Sequence, residues 1–132
     1  MALLESGEMY LETILILSRT MPNVRSIDIA EHMGYSKPSI SRAMGKLKQD
    51  DCILIDENGF ITFTEKGRGI AEKIYERHQV LSRLFTGLGV DEVTAIEDAC
   101  RIEHVISDES FNALREYMND QGFSLDEDLP FT

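Results

Sequence analysis

Cysteine is scarce: only Cys52 and Cys100 occur in 132 residues. Two are too few for a disulfide framework and suit a reducing cytoplasm. No uncharged stretch approaches the roughly 20 residues of a membrane span, and Glu12 interrupts the apolar start. No positively charged segment precedes that start, so a secretory leader is not expected. Internal repeats and low-complexity tracts are absent, as are a Gly-rich phosphate loop and an oxyanion motif, which counts against an enzyme. What is present is a hydrophobic fraction of 42%, enough chain for one globular core or a small domain plus an extension. The formal net charge of −11 argues against a protein that coats nucleic acid indiscriminately.

Basic residues are missing mainly from one end. Residues 1–89 carry 12 acidic and 11 basic side chains, whereas residues 90–132 carry 12 acidic and 2 basic. Within the near-neutral part, Lys37, Arg42, Lys46 and Lys48 form a run with no acidic residue between them. Screening over about 8–10 Å lets such a local basic face coexist with an acidic remainder. Two functional halves follow from this asymmetry.

Apolar spacing predicts a helix from about Leu4 to Arg19, broken at Met21-Pro22-Asn23. Ser26 is a candidate cap for a short helix over Ile27 to Met33, ended by Gly34. Ser36 caps a third helix with Pro38 in its first turn, where the missing N–H costs little. Its residues Ile40, Ala43, Met44 and Leu47 share one face, leaving Ser39, Arg42 and Lys46 on the other. Two short helices, a tight turn and a basic outer face make helix-turn-helix geometry, which suits the DNA major groove. A solvated face of some other small helical domain is the plainer alternative.

Two β-rich runs, Cys52–Ile55 and Phe60–Phe63, flank Asp56-Glu57-Asn58-Gly59 and predict a hairpin with an Asn-Gly turn, positioned as a wing. Thr64 caps a long helix with the stripe Ile70, Ile74, His78, Leu81 and Phe85, ended by Gly87 and Gly89. Asp91 caps a helix expected to run from Glu92 to Ile106, and Ser107 caps another to about Met118. The expected fold class is mainly α with a small β-hairpin wing. The expected domains are a winged helix-turn-helix over 1–70, a helical domain over 71–119, and a weakly ordered acidic tail over 120–132.

Cys100, Glu103 and His104 stand at i, i+3 and i+4, so thiol, carboxylate and imidazole share one helical face. Ile96 shares that face, so the polar groups project from apolar surroundings, where a divalent cation is one way to satisfy a carboxylate. Met9 and Glu12 form an i, i+3 pair on the first helix, and His78 lies inside the apolar stripe of the long one. Each has a plainer role singly: Cys100 and Met9 as packing, His78 as a hydrogen-bonded core histidine, Glu12 as a solvated residue.

Several motifs resemble the DtxR/MntR metal-dependent repressors. They are Glu8-Met9-Tyr10-Leu11, Ile29-Ala30-Glu31, Ser36-Lys37-Pro38-Ser39-Ile40-Ser41, Thr64-Glu65-Lys66-Gly67, and the run from Asp98 to Glu109. The resemblance implies a winged helix-turn-helix, a helical dimerisation domain, metal at their junction, and repression from palindromic operators by the metal-loaded homodimer. It implies an iron-type primary site of Met9, Cys100, Glu103 and His104, all present. An iron-type ancillary site would need a glutamate and a second histidine where this chain has Ser82 and Ile96, beside His78. Manganese-type relatives carry aspartate and glutamate at the places of Met9 and Cys100, and share Glu12 and His78. The site resembles a hybrid, with Glu12 and His78 expected to form a second or bridged position with Glu103.

Thioether and thiolate disfavour Mn²⁺ relative to Fe²⁺, so Fe²⁺ is the expected effector and Mn²⁺ the alternative; Co²⁺, Ni²⁺ or Zn²⁺ can substitute in vitro. The resemblance implies DNA contact by Ser36, Lys37, Pro38, Ser39, Ser41, Arg42 and Lys46. The expected setting is a cytoplasmic homodimer on double-stranded operator DNA, without membrane or small organic ligand. The chain stops short of the SH3-like extension of longer iron-type members, and regulation is expected not to need it. A winged-helix regulator gated by an organic ligand, with Cys100, Glu103 and His104 as core residues, remains the rival reading.

Overall fold

Apolar residues three and four apart dictate the first helix, α1 (Glu5–Thr20), which buries Leu11, Ile14 and Leu15. The computed structural model describes residues 5–122. They divide into two units, one up to Lys73 and one from Ile74 onward. Among the described residues no helix is long and apolar enough to cross a membrane.

In the first unit, α1 packs against α2 (Ser26–Met33) and α3 (Lys37–Gln49). The cap of α2 differs from expectation: Arg25, not Ser26, holds the N-cap position. The Asp28 carboxylate reaches back to accept the Arg25 N–H at 2.8 Å, and its charge suits the helix N-terminus better than a serine hydroxyl. Gly34 ends α2 with φ 72°, a conformation open to glycine without a Cβ penalty. Ser36 caps α3 as expected, its Oγ accepting the Ser39 N–H at 3.3 Å. Ile40, Met44 and Leu47 of α3 are buried, each contributing about 1.5–3 kcal/mol. At the far end Asp51 adopts φ 62°, and Cys52 N–H closes onto the Leu47 carbonyl at 2.9 Å.

Strands β1 (Ile53–Ile55) and β2 (Ile61–Phe63) pair antiparallel with Ile53 opposite Phe63 and Ile55 opposite Ile61. The turn departs from the expected Asn-Gly geometry, because only Gly59 has a positive φ, of 81°. The Asp56 carboxylate accepts the N–H groups of Asn58 and Phe60, both at 2.9 Å. That draws the chain into a three-residue loop with Gly59 at the bulge. Val24 bridges to Ile61, whose N–H reaches the Val24 carbonyl at 2.7 Å, so the hairpin is anchored to the segment before α2.

Helix α4 (Glu65–Gly87) is capped by Thr64, whose Oγ1 accepts the Gly67 N–H at 3.0 Å and donates to the Asp51 carbonyl at 2.7 Å. The division between units falls within α4. Burial pushes the Cys52 thiol above its ordinary pKa; neighbouring Lys66 opposes the shift, while Asp50 and Asp51 add to it.

In the second unit α4 continues and is followed by α5 (Glu92–Ile102) and α6 (Asp108–Asp120). Gly89, at φ 98°, ends α4 while Val90 N–H returns to the Phe85 carbonyl at 2.9 Å. Asp91 and Ser107 cap α5 and α6 through Val93 and Ser110 N–H, both at 3.1 Å. Val80, Phe111 and Met118 form a core with Leu84, Ile106 and Leu114 packed on it.

Two expectations change here. Helix α5 stops at Ile102, not Ile106: Val105 and Ile106 N–H both close onto the Ile102 carbonyl at 3.0 Å. Helix α6 reaches Asp120, so the first residue assigned to a weakly ordered tail is helical; residues 123–132, including Asp126-Glu127-Asp128, lie outside the described residues.

A Cβ on Gly67 would stand 1.8 Å from the Cys52 carbonyl oxygen, whereas one on Gly45 would meet nothing within 4 Å. Gly67→Ala is expected to cost at least about 2 kcal/mol in urea unfolding. Gly45→Ala, in an exposed helix interior, is expected to gain about 0.5–1 kcal/mol.

Candidate metal centre

Helical spacing carries Cys100 and Glu103 to the same side. Glu103 is the first residue beyond α5, yet it keeps helical angles (φ −57°, ψ −27°), and its N–H still reaches the Ala99 carbonyl at 3.0 Å. The shared-face expectation therefore survives the early end of the helix for this pair. His78 approaches from α4: its Nδ1 lies 2.9 Å from Glu103 Oε2 and 3.6 Å from Cys100 Sγ. One donor atom from each of His78, Cys100 and Glu103 falls within 4.8 Å of the others.

His104 follows Glu103 in the turn. Its Nε2 lies 3.4 Å from the second oxygen of that carboxylate, Oε1. Glu103 thus turns one oxygen toward each of two imidazoles. Glu103 and His78 have no solvent exposure, and the His104 side chain is 1% exposed. A carboxylate buried this deeply costs several kcal/mol unless its surroundings compensate, on the order of the penalty for any buried ion. The sequence reading expected His104 in a first set and His78 in a second; side by side, the structure brings His78 to Cys100 and Glu103.

Met9 and Glu12 stand one turn apart on α1 in the first unit, Met9 half-buried and Glu12 buried. Ser82 and Ile96 are both buried, and Ile96 has no donor atom to offer. Lys37, Pro38, Ser41, Arg42 and Lys46 are exposed on α3, as expected of an outer face. Ser36 is exposed too, but its hydroxyl is committed to the cap. Ser39 is half-buried, its Oγ accepting from the Ser36 hydroxyl at 2.8 Å and from Arg42 Nη2 at 3.4 Å. The spacing does not single out Gly45, which leaves that exposed face bare between Arg42 and Lys46.

The donor set suits a divalent cation. Zinc-like ions sit about 2.0–2.1 Å from imidazole nitrogen, 2.0–2.2 Å from carboxylate oxygen and 2.3 Å from thiolate sulfur. Ligands at those radii are about 3–4.5 Å apart, close to the 2.9 and 3.6 Å that separate His78 Nδ1 from Glu103 Oε2 and Cys100 Sγ. Nitrogen, sulfur and oxygen together fit Fe²⁺, Co²⁺ or Zn²⁺ better than an all-oxygen ion such as Mg²⁺. Co²⁺ at 100 times its Kd is expected to stabilise the protein by about 2.7 kcal/mol, seen as a rise in Tm. Glu103→Gln, which keeps the shape and removes the charge, is expected to lose that rise.

Comparison with known proteins places both halves of the chain. The family described as "Iron dependent repressor, N-terminal DNA binding domain" matches residues 2–55. The family described as "Iron dependent repressor, metal binding and dimerisation domain" matches residues 64–126. The chain is 30% identical over 119 residues to the diphtheria toxin repressor of Corynebacterium diphtheriae, covering 89% of this chain and 53% of that one. It is 32% identical over 120 residues to the iron-dependent repressor IdeR of Mycobacterium tuberculosis, covering 89% and 51%. The structure of the manganese regulator SloR superposes with a TM-score of 0.75 at 30% identity, covering 86% of this chain and 53% of that one. The chain spans about half the length of the curated relatives it matches. With both halves matched in order, and the cysteine, glutamate and histidine gathered in the half that matches the metal-binding model, the chain belongs to the iron-dependent repressor family, the DtxR/MntR group.

Proposed function

We propose that this chain is a metal-dependent transcriptional repressor that binds palindromic operator DNA as a homodimer when loaded with Fe²⁺, and so controls metal-homeostasis genes in the cytoplasm. The observation that supports it best is the close approach of His78 Nδ1, half-buried Cys100 Sγ and Glu103 Oε2, three donor types within reach of one ion. In this reading Met9, Cys100, Glu103 and His104 hold the primary ion, and Glu12 and His78 complete a second position that shares Glu103. The ion supplies positive charge at a point where sulfur, oxygen and nitrogen all donate lone pairs.

The residues do the rest. Glu103 turns Oε2 toward His78 and Oε1 toward His104, so its carboxylate would be available to an ion at either position. Met9 and Glu12 commit α1, and α1 packs within its own unit on α2 and α3, so restraining α1 restrains the helix that bears Arg42. Two such helices in a homodimer then meet half-sites one DNA turn, or a multiple, apart. Ser36, Lys37, Pro38, Ser39, Ser41, Arg42 and Lys46 form the contact surface, with Arg42 the candidate for reading guanine and the lysines for phosphate. A coupling of about 1–3 kcal/mol makes operator binding roughly 5–150-fold metal-dependent.

Iron and manganese both appear among the relatives' names. The two sulfur ligands, Met9 and Cys100, favour Fe²⁺ over Mn²⁺, which makes Mn²⁺ the alternative effector. Co²⁺, Ni²⁺ and Zn²⁺ are expected to bind at least as tightly in vitro by the Irving–Williams order.

The test is anaerobic binding to a palindromic duplex selected in vitro by the wild-type protein, titrated with Fe²⁺ and with Mn²⁺ against a chelator control. Expected is a 5–150-fold gain with Fe²⁺ and its loss in Cys100→Ala. Equal affinity with and without chelator would overturn the metal switch and favour gating by another ligand. Arg42→Ala is expected to weaken binding by about 1–3 kcal/mol and to relax base preference, whereas Lys46→Ala is expected to lower the slope of log affinity against log salt by about 1.

A further inference from the structure

The turn that bears Glu103 and His104 is held from α4 by two consecutive residues in different ways. His78 meets the Glu103 side chain. Arg77 takes the backbone: its Nη1 donates to the Glu103 carbonyl at 3.2 Å and to the Ile106 carbonyl at 2.7 Å. Its Nη2 pairs with the Asp108 carboxylate at the start of α6. The guanidinium stands 5.5 Å from the Phe111 ring centroid, within cation–π reach. The Arg77 side chain is only 7% exposed, so these contacts stand in place of water.

We propose that Arg77 is a positioning residue for the metal centre: it clamps the turn after α5 so that the Glu103 carboxylate faces His78 and Cys100 before any ion arrives. This rests on the metal reading of those residues. The geometry needs arginine. Carbonyl groups at the C-terminal end of a helix have no helical partner, and a cation there also complements the helix dipole. A planar fork of five donors can span two carbonyls and a carboxylate at once, which a lysine ammonium on a flexible stem cannot do. The clamp also accounts for the early end of α5. The carbonyls of Glu103 and Ile106 point to the guanidinium instead of to N–H groups further along a continuing helix. Outer partners of this kind alter metal affinity by about 10–100-fold when lost.

The test compares wild type with Arg77→Lys in two readouts: amide hydrogen exchange of residues 103–107 in metal-free protein, and Co²⁺ affinity by calorimetry. Expected for Arg77→Lys is exchange at least tenfold faster at Val105 and Ile106, unchanged exchange at Ile40 and Met44 of α3, and Co²⁺ binding at least tenfold weaker. A folded Arg77→Lys with wild-type exchange, or with Co²⁺ affinity within twofold of wild type, overturns the proposal. If Arg77→Lys does not fold, Asp108→Asn decides, because that side chain is 66% exposed. Threefold faster exchange together with threefold weaker Co²⁺ binding supports the clamp, and the absence of either contradicts it. Wild-type protein that binds no Co²⁺ would instead sink the metal reading itself, an outcome distinct from wild-type binding that Arg77→Lys leaves untouched.

Discussion

A carboxylate with no solvent exposure, Glu103, is the group on which the rest of this structure turns. Burial of such a charge is unfavourable by several kcal/mol unless its surroundings answer it, about the cost of any desolvated ion. Its neighbours are an imidazole at 2.9 Å on one oxygen and a second imidazole at 3.4 Å on the other, with a thiol beside the first. Evolving a stable core alone would favour an apolar residue there, since apolar replacements of buried ionic groups are often neutral or stabilising. The convergence of donors of three chemical types around one point is explained by a ligand that all three recognise, and a soft-to-borderline divalent ion is such a ligand.

The surrounding fold serves to deliver those donors. Cys100 and Glu103 are one helical turn apart, so local geometry alone aligns them. His78 arrives from a helix more than twenty residues earlier, held by the packing of Val80, Phe111 and Met118 in the same unit. Arg77, beside it, fixes the backbone of the turn. In the other unit, α3 presents Arg42 and Lys46 to solvent while Ile40, Met44 and Leu47 anchor its inner face. The acidic excess beyond residue 90 stays out of the stretch Lys37–Lys48, so the basic helix face is not neutralised by its own sequence neighbours.

Much of this was legible in the residue order because it depends on short-range chemistry. Ser36, Thr64, Asp91 and Ser107 cap helices through N–H groups two or three residues away, and apolar periodicity marked the buried faces of α1, α3 and α4. The misreadings share a cause: a charged side chain takes backbone groups that periodicity and turn composition had given to others, within four residues for Asp28 and Asp56 and over a long stretch of chain for Arg77. Asp28 displaced Ser26 from its expected capping role, and Asp56 reshaped the hairpin loop from within. Arg77 drew the turn at 103–106 out of the helix from a position 26 and 29 residues earlier. No local pattern marks such a contact. The same holds for which imidazole stands beside Cys100, a matter of how α4 and α5 pack.

The most direct test of the central claim is X-ray absorption on protein loaded anaerobically with one equivalent of Fe²⁺, repeated with Cys100→Ser. The account predicts a sulfur scatterer at about 2.3 Å together with nitrogen or oxygen at about 2.0–2.2 Å, and a weakened sulfur shell in the variant. A first shell of oxygen and nitrogen alone in the wild-type protein would contradict it.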